Sequence, residues 1–108
     1  MKTEKEDIQI EVNYQTEDYL RPRNAAYLFD TYSHEVRKGH EYDESILFVQ
    51  INFTYGLKNS KYYDERDENL NKFMFTNKNN KPYINNLVLY EFNMDYYSEL
   101  WYPKDEKE

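Results

Sequence analysis

The residues nearest the start of the chain that could do chemistry are acids and amides. Glu11 and Asn13 are two residues apart, so on an extended strand they project from the same face. A hard divalent cation needs several oxygen ligands that converge from different elements, and one carboxylate beside one amide does not supply them. Glu4, Glu6 and Asp7 lie on the same local segment and cannot replace a ligand from a neighbouring strand. We therefore predict that the chain has no metal site.

The other reactive groups form no catalytic pattern. His34 and His40 are six residues apart, which is neither a same-face helical pair nor a known metal spacing. Gly39 and Gly56 cannot build a phosphate-binding loop. The absence of cysteine excludes disulfides and thiolate metal sites. The sequence by itself therefore predicts no enzyme activity and no cofactor.

Aromatic and acidic residues dominate the composition. The 108 residues include 13 Tyr and 6 Phe, and 21 Asp and Glu outnumber 14 Lys and Arg to give a net charge of −7. Aromatic residues carry much of the energy of protein interfaces, whereas an acidic chain is a poor match for a nucleic-acid backbone across a broad surface. The predicted protein-binding residues lie where aromatic rings and acids occur together: Tyr62, Tyr63, Asp64, Glu65, Asp67, Glu68, Tyr96, Tyr97 and Trp101. The alternative is that the first group is a solvated loop and the second is core packing.

The first half of the chain predicts a strand followed by a long helix. Ile8, Ile10 and Val12 alternate with polar residues, which is typical of a strand with one buried, aliphatic face. A helix is predicted from about Arg21 to Lys38, with Gly39 just past its end. Its predicted apolar stripe has helical spacing and consists of Ala25, Phe29, Tyr32 and Val36.

The second half predicts strands and a short helix. In chain order these are a central strand at 46–53, a polar loop at 57–71, a hairpin of 72–76 and 87–93, and a helix at 96–101. The predicted fold class is α+β, with one long helix packed on a mixed sheet of about four strands (strand–helix–strand–hairpin) and a short C-terminal helix. We expect a single domain, 1–108, with frayed tails at 1–6 and 103–108.

Short motifs follow one another in a fixed order along most of the chain. They are Ile10-Glu11-Val12-Asn13, Arg23 with Tyr27, Gly39 with Tyr42, Gln50-Ile51-Asn52-Phe53, and the segment 87–94. This series resembles the C-terminal part of the PD-(D/E)XK nuclease-family transposases, the Rpn-like recombination-promoting nucleases. The resemblance implies that Glu11 stands at the family's metal-binding Glu and Asn13 at its lysine or glutamine. Because the chain begins ten residues before Glu11, we expect the strand that bears the family's metal-binding Asp to be missing, which makes Glu11 and Asn13 vestigial.

These observations predict a non-catalytic, protein-binding regulator or inhibitor of a nucleic-acid-processing enzyme, built on a truncated nuclease-like fold. An anti-defence inhibitor of the anti-CRISPR type, encoded by a phage or mobile element, fits this description. The expected partner is the basic surface of a larger nuclease or related protein, or a second copy of the chain. No apolar run reaches the roughly 18 residues of a membrane span, so we expect a cytoplasmic protein. The alternative is a subunit of a split or oligomeric metal-dependent PD-(D/E)XK nuclease, with Mg²⁺ as cofactor.

Overall fold

The protein has the predicted α+β architecture. The computed structural model describes residues 6–37 and 46–101, apart from the side chains of Arg37 and residues 99–101. The elements are β1 (Glu6–Asn13), α1 (Leu20–Arg37), β2 (Leu47–Thr54), a 3-10 helix (Leu57–Asn59), β3 (Leu70–Met74), β4 (Leu87–Asn93) and α2 (Met94–Trp101). The predicted helix end at Gly39 and the tail at 103–108 lie outside the described residues, whereas Glu6 is the first residue of β1.

The four strands form one mixed sheet in the order β1-β2-β4-β3. β2 is parallel to both of its neighbours, and β3 runs antiparallel to β4. The predicted central strand and the predicted hairpin are therefore confirmed. α1 connects the two parallel strands β1 and β2, so the carboxyl ends of β1, β2 and β4 meet at one edge of the sheet.

The prediction of which face of β1 is buried was wrong. Gln9 and Asn13, on its polar face, hydrogen-bond to side chains of α1. On the opposite face, Ile10 is 56% exposed and Val12 is 46% exposed. Alternation showed correctly which residues share a face, but the helix covers the polar face because its own sheet-facing side chains supply hydrogen-bond partners.

The predicted apolar stripe of α1 is displaced by about one residue. Leu20, Asn24 and Leu28 are the buried residues of the helix, whereas Phe29 is exposed. Of the predicted stripe, Tyr32 does pack on the sheet, edge-on to Phe48. The displacement has a local cause: the backbone carbonyl of Asn24 accepts a hydrogen bond from a fully buried glutamine of β2, so this polar turn of the helix faces the sheet.

The space between α1 and the sheet changes from apolar to polar along the strands. Leu28, Phe48 and Leu87 form the apolar core near the amino ends of β2 and β4. Towards the carboxyl ends, the buried side chains are polar: Asn13, Gln50, Asn52, Thr54 and Glu91. The polar half of this layer lies beside the candidate site described next.

The segment predicted as a loop contains ordered structure. It begins with the 3-10 helix, in which Leu57 is buried, and its end enters β3 at Leu70. Within the described ranges, neither helix is long and apolar enough to cross a membrane.

Candidate functional site

One cleft brings together the two groups of predicted binding residues. It has a volume of about 180 Å³ and lies between the loop that precedes β3 and the start of α2. The predicted residues that line it are Tyr62, Tyr63, Asp64, Glu65, Asp67, Glu68 and Tyr96. Asp95 adds a fifth carboxylate, against one lysine, Lys58. We call this site the acidic cleft.

Two predicted residues lie differently. Tyr97 packs edge-on against Phe92 of β4, with ring centroids 5.7 Å apart, so it supports α2 rather than lining the cleft. The side chain of Trp101 lies outside the described part of the structure. The aromatic rings that the acidic cleft presents to solvent are Tyr63, 44% exposed, and Tyr96, 42% exposed.

The carboxylate of Asp95 holds the floor of the acidic cleft in place. It accepts hydrogen bonds from the backbone N–H groups of Gly56, at 2.8 Å, and Lys58, at 3.1 Å. Gly56 has a φ of 80°, a left-handed conformation that favours glycine and turns the chain at the end of β2. Asn93 in turn accepts the backbone N–H of Asp95 at 3.1 Å, as a helix-capping side chain does. The sequence signal for this arrangement is the Asn-x-Asp spacing at the start of the predicted helix.

Tyr62 ties the wall of the acidic cleft to the long helix. Its hydroxyl donates a hydrogen bond to the backbone carbonyl of Asp18 and accepts one, at 3.4 Å, from the backbone N–H of Arg21. The Arg21 guanidinium lies 4.9 Å from the centre of the Tyr62 ring. Tyr62 is therefore a half-buried anchor of the loop rather than an exposed contact residue.

Arg21 links that wall to a buried carboxylate. Its guanidinium lies 2.7 Å from Glu91, which is only 2% exposed, and 5.1 Å from the centre of the Phe73 ring. The second carboxylate oxygen of Glu91 accepts a hydrogen bond from Thr54 at 3.4 Å. Sequence reasoning missed this network, although a lone acid inside the apolar run of β4 was a signal for it.

The acids of the wall fall into two kinds. Asp64 accepts paired hydrogen bonds from the guanidinium of Arg66, at 2.9 and 2.7 Å, and these bonds lower the pKa of Asp64 from 3.8 to about 2. Glu65, Asp67 and Glu68 are exposed and make none of the ion pairs found in the described residues. These three carboxylates are therefore free to form ion pairs with basic side chains of a binding partner.

Glu11 and Asn13 lie away from the acidic cleft. Asn13 is buried, where it accepts a hydrogen bond from Arg23 at 3.1 Å and donates one to Thr54 at 3.3 Å. Glu11 lines a separate recess together with Asp30, between β1 and α1. Among the side chains that the structure describes, no three or more from histidine, aspartate or glutamate form a group that could hold a metal ion.

Comparison with known proteins identified no relative of this chain. Neither protein-family models nor curated proteins nor solved structures gave a match. The resemblance to the nuclease-family transposases stays a prediction.

Proposed function

We propose that this protein is a non-catalytic regulator or inhibitor that binds the basic surface of a nucleic-acid-processing enzyme through its acidic cleft. The observation that carries the proposal is the composition of the cleft, where five carboxylates lie beside two exposed tyrosine rings. A guanidinium stacks on aromatic rings and pairs with carboxylates. A partner surface rich in arginine can therefore bind both the carboxylates and the tyrosine rings of the cleft.

The internal bonding of the acidic cleft supports a role in binding. Asp95 fixes the floor and Tyr62 fixes the wall through hydrogen bonds to the backbone. Less conformational freedom is then lost when a partner binds. Tyr63 and Tyr96 are left as exposed aromatic contacts, and Glu65, Asp67 and Glu68 line the same cleft as charged contacts.

Inhibition follows from competition for the same basic surface. An enzyme that processes nucleic acid binds phosphates with lysine and arginine side chains, and an acidic protein seated on those side chains excludes the substrate. The proposal includes the narrower identity of a phage or mobile-element anti-defence protein on a truncated nuclease-like fold, since such an inhibitor needs no catalytic residue. The host enzyme is then a larger nuclease or a related protein in the cytoplasm.

Affinity capture from bacterial lysate, with the protein and two cleft variants as bait, tests the proposal. One variant removes the aromatic contacts (Tyr63→Ala with Tyr96→Ala). The other removes charge with little change of shape (Glu65→Gln, Asp67→Asn and Glu68→Gln). A matched control is Tyr83→Ala, because Tyr83 is 80% exposed and does not line the cleft.

We expect the unaltered protein and the Tyr83→Ala control to retain a nucleic-acid-processing enzyme. Each cleft variant should bind that purified enzyme about tenfold or more weakly, the loss typical of interface residues that carry much of the binding energy. Circular dichroism checks that the variants are folded. Equal capture by the folded cleft variants, or capture of no such enzyme by the unaltered protein, would refute the proposal.

A further inference from the structure

Two residues of β1, Ile10 and Val12, direct their backbone groups to the outer side of the sheet. In the described sheet, β1 pairs with β2 alone. The backbone N–H of Tyr55, just after β2, donates a hydrogen bond to the backbone carbonyl of Asn13 at 2.8 Å. The backbone N–H and C=O of Asn13 therefore point towards β2. Because backbone groups alternate in direction along a strand, those of Ile10 and Val12 point away from β2. β1 contains neither lysine nor proline, the residues that commonly protect a sheet edge.

Three apolar side chains are exposed on one face of this edge. Ile10, Val12 and Tyr14 alternate along the chain, and they are 56%, 46% and 77% exposed. The ring of Tyr14 stacks on Tyr55, with centroids 5.7 Å apart and planes 9° apart, so it is held beside the sheet. An aliphatic and aromatic strip beside an open edge is a surface that favours association.

The opposite face of the same edge carries complementary charges. Arg23 donates to the side chain of Asn13 at 3.1 Å, but its buried Nε has no hydrogen-bond partner in the described residues. Its guanidinium also makes no ion pair there. Glu11, the next residue on that face of β1, has no ion pair in the described residues either. The Glu11 carboxylate of one copy could therefore form an ion pair with the Arg23 guanidinium of a second copy.

We propose that β1 pairs antiparallel with β1 of a second copy, with Val12 opposite Val12. This register places Ile10 opposite Tyr14, the residue that follows β1, so the apolar strips of the two copies lie side by side. It also places Glu11 opposite Asn13, beside Arg23 of the second copy. The two four-stranded sheets join into one sheet across a two-fold axis.

The side chains select this register over its neighbours. A pairing centred on Glu11 sets two glutamates directly opposite each other, which is destabilising. A pairing centred on Ile10 sets Glu11 opposite Gln9 and sets Tyr14 opposite the charged Glu6 rather than an apolar side chain. Of these three registers, only the one centred on Val12 sets Glu11 beside Arg23 of the second copy and sets Ile10, Val12 and Tyr14 each opposite another apolar side chain.

Single-cysteine variants test both the dimer and its register, because the chain has no other cysteine. Val12→Cys should form a disulfide-linked dimer under mild oxidation, since opposite residues lie within the Cα separation that a disulfide allows. Ile10→Cys is the matched control, because the two copies of residue 10 would lie about 13 Å apart along the strands. Analytical ultracentrifugation of the unaltered protein should show a concentration-dependent dimer. A monomer at every concentration, or cross-linking of Ile10→Cys as rapid as that of Val12→Cys, would overturn the proposal.

A charge exchange tests the contact between Glu11 and Arg23. Glu11→Arg and Arg23→Glu should each weaken the dimer about tenfold or more, and the double variant should restore it. Tyr83→Arg, on the connection between β3 and β4, should leave the dimer unchanged. If both single variants are folded and the double variant still fails to dimerise, the proposed contact is wrong. Binding to the acidic cleft is measured separately, so failure of the dimer leaves that proposal standing.

Discussion

The acidic side chains of the cleft have different structural roles, which the sequence alone does not distinguish. Asp95 uses both carboxylate oxygens to hold the backbone, and Asp64 is bonded to Arg66. Glu65, Asp67 and Glu68 carry the charge that a partner can reach. A variant that removes Asp95 therefore tests the integrity of the site, whereas variants at the last three test its charge.

The pKa of Asp64 reports whether its bond to Arg66 forms in solution. We expect a titration near pH 2 in the unaltered protein, because hydrogen bonding to Arg66 lowers the pKa to about 2. Arg66→Ala should return the pKa towards 3.8, and Arg66→Lys, which loses the paired geometry, should fall between. The carboxyl-carbon NMR shift of Asp64 against pH measures all three.

The same pKa sets the pH range in which the pair stabilises the fold. A folded-state pKa below the unfolded one contributes stability at pH values above about 4, and that contribution is lost as the pH falls towards about 2. Because the pair is exposed, the difference in stability between the unaltered protein and Arg66→Ala should be small above about pH 4 and should vanish as the pH falls towards about 2. A titration of Asp64 that is the same in the protein and in Arg66→Ala would show that the pair does not form.

Polar contacts hold the start of the long helix α1 against the sheet. The guanidinium of Arg21 contacts the rings of Tyr62 and Phe73 and pairs with the buried Glu91. The apolar core lies farther along the helix, at Leu28. The end of α1 that supports the acidic cleft is thus held by the contacts of Arg21 together with the fully buried Leu20.

Arg21→Ala should lower the free energy of unfolding by about 3–5 kcal/mol, because it leaves a carboxylate buried without its partner. Urea denaturation followed by circular dichroism measures the loss. Arg66→Ala, which breaks an exposed pair, should scarcely change the midpoint. Equal effects of the two substitutions would contradict the central role assigned to Arg21.

For the whole molecule, the net charge of −7 governs encounters with a partner. The acidic cleft adds a local concentration of that charge, and opposite charge on a partner accelerates association. The proposed dimer has a different character, since it joins apolar side chains and backbone groups. Salt should therefore affect the two associations unequally.

Raising the salt concentration from about 0.1 M to about 1 M should slow binding to the basic enzyme by about tenfold or more. The β1 dimer should weaken much less over the same range. Stopped-flow fluorescence and analytical ultracentrifugation measure the two effects. An enzyme complex that is insensitive to salt would exclude charge steering as its basis.

The sequence predicted the elements well because their signals are local. The apolar run of β2, the turn residues before β4 and the helical spacing after it each depend on a few neighbouring side chains. The predicted limits of the second hairpin strand, 87–93, coincide with those of β4. The predicted binding residues were also chosen locally, as tyrosines beside acids, and most of them line one cleft.

The faces and the contacts between segments were decided only by the tertiary structure. Alternation placed Ile10 and Val12 on one face, but the layer between α1 and the sheet is polar, with buried hydrogen bonds from Gln50 to the backbone of Asn24 and to Asn52, and from Thr54 to Glu91. The loop before β3 meets α2 because β4 pairs with both β2 and β3. Spacing along the chain determined which side chains act together locally, whereas burial and pairing between distant segments determined which of them reach a partner.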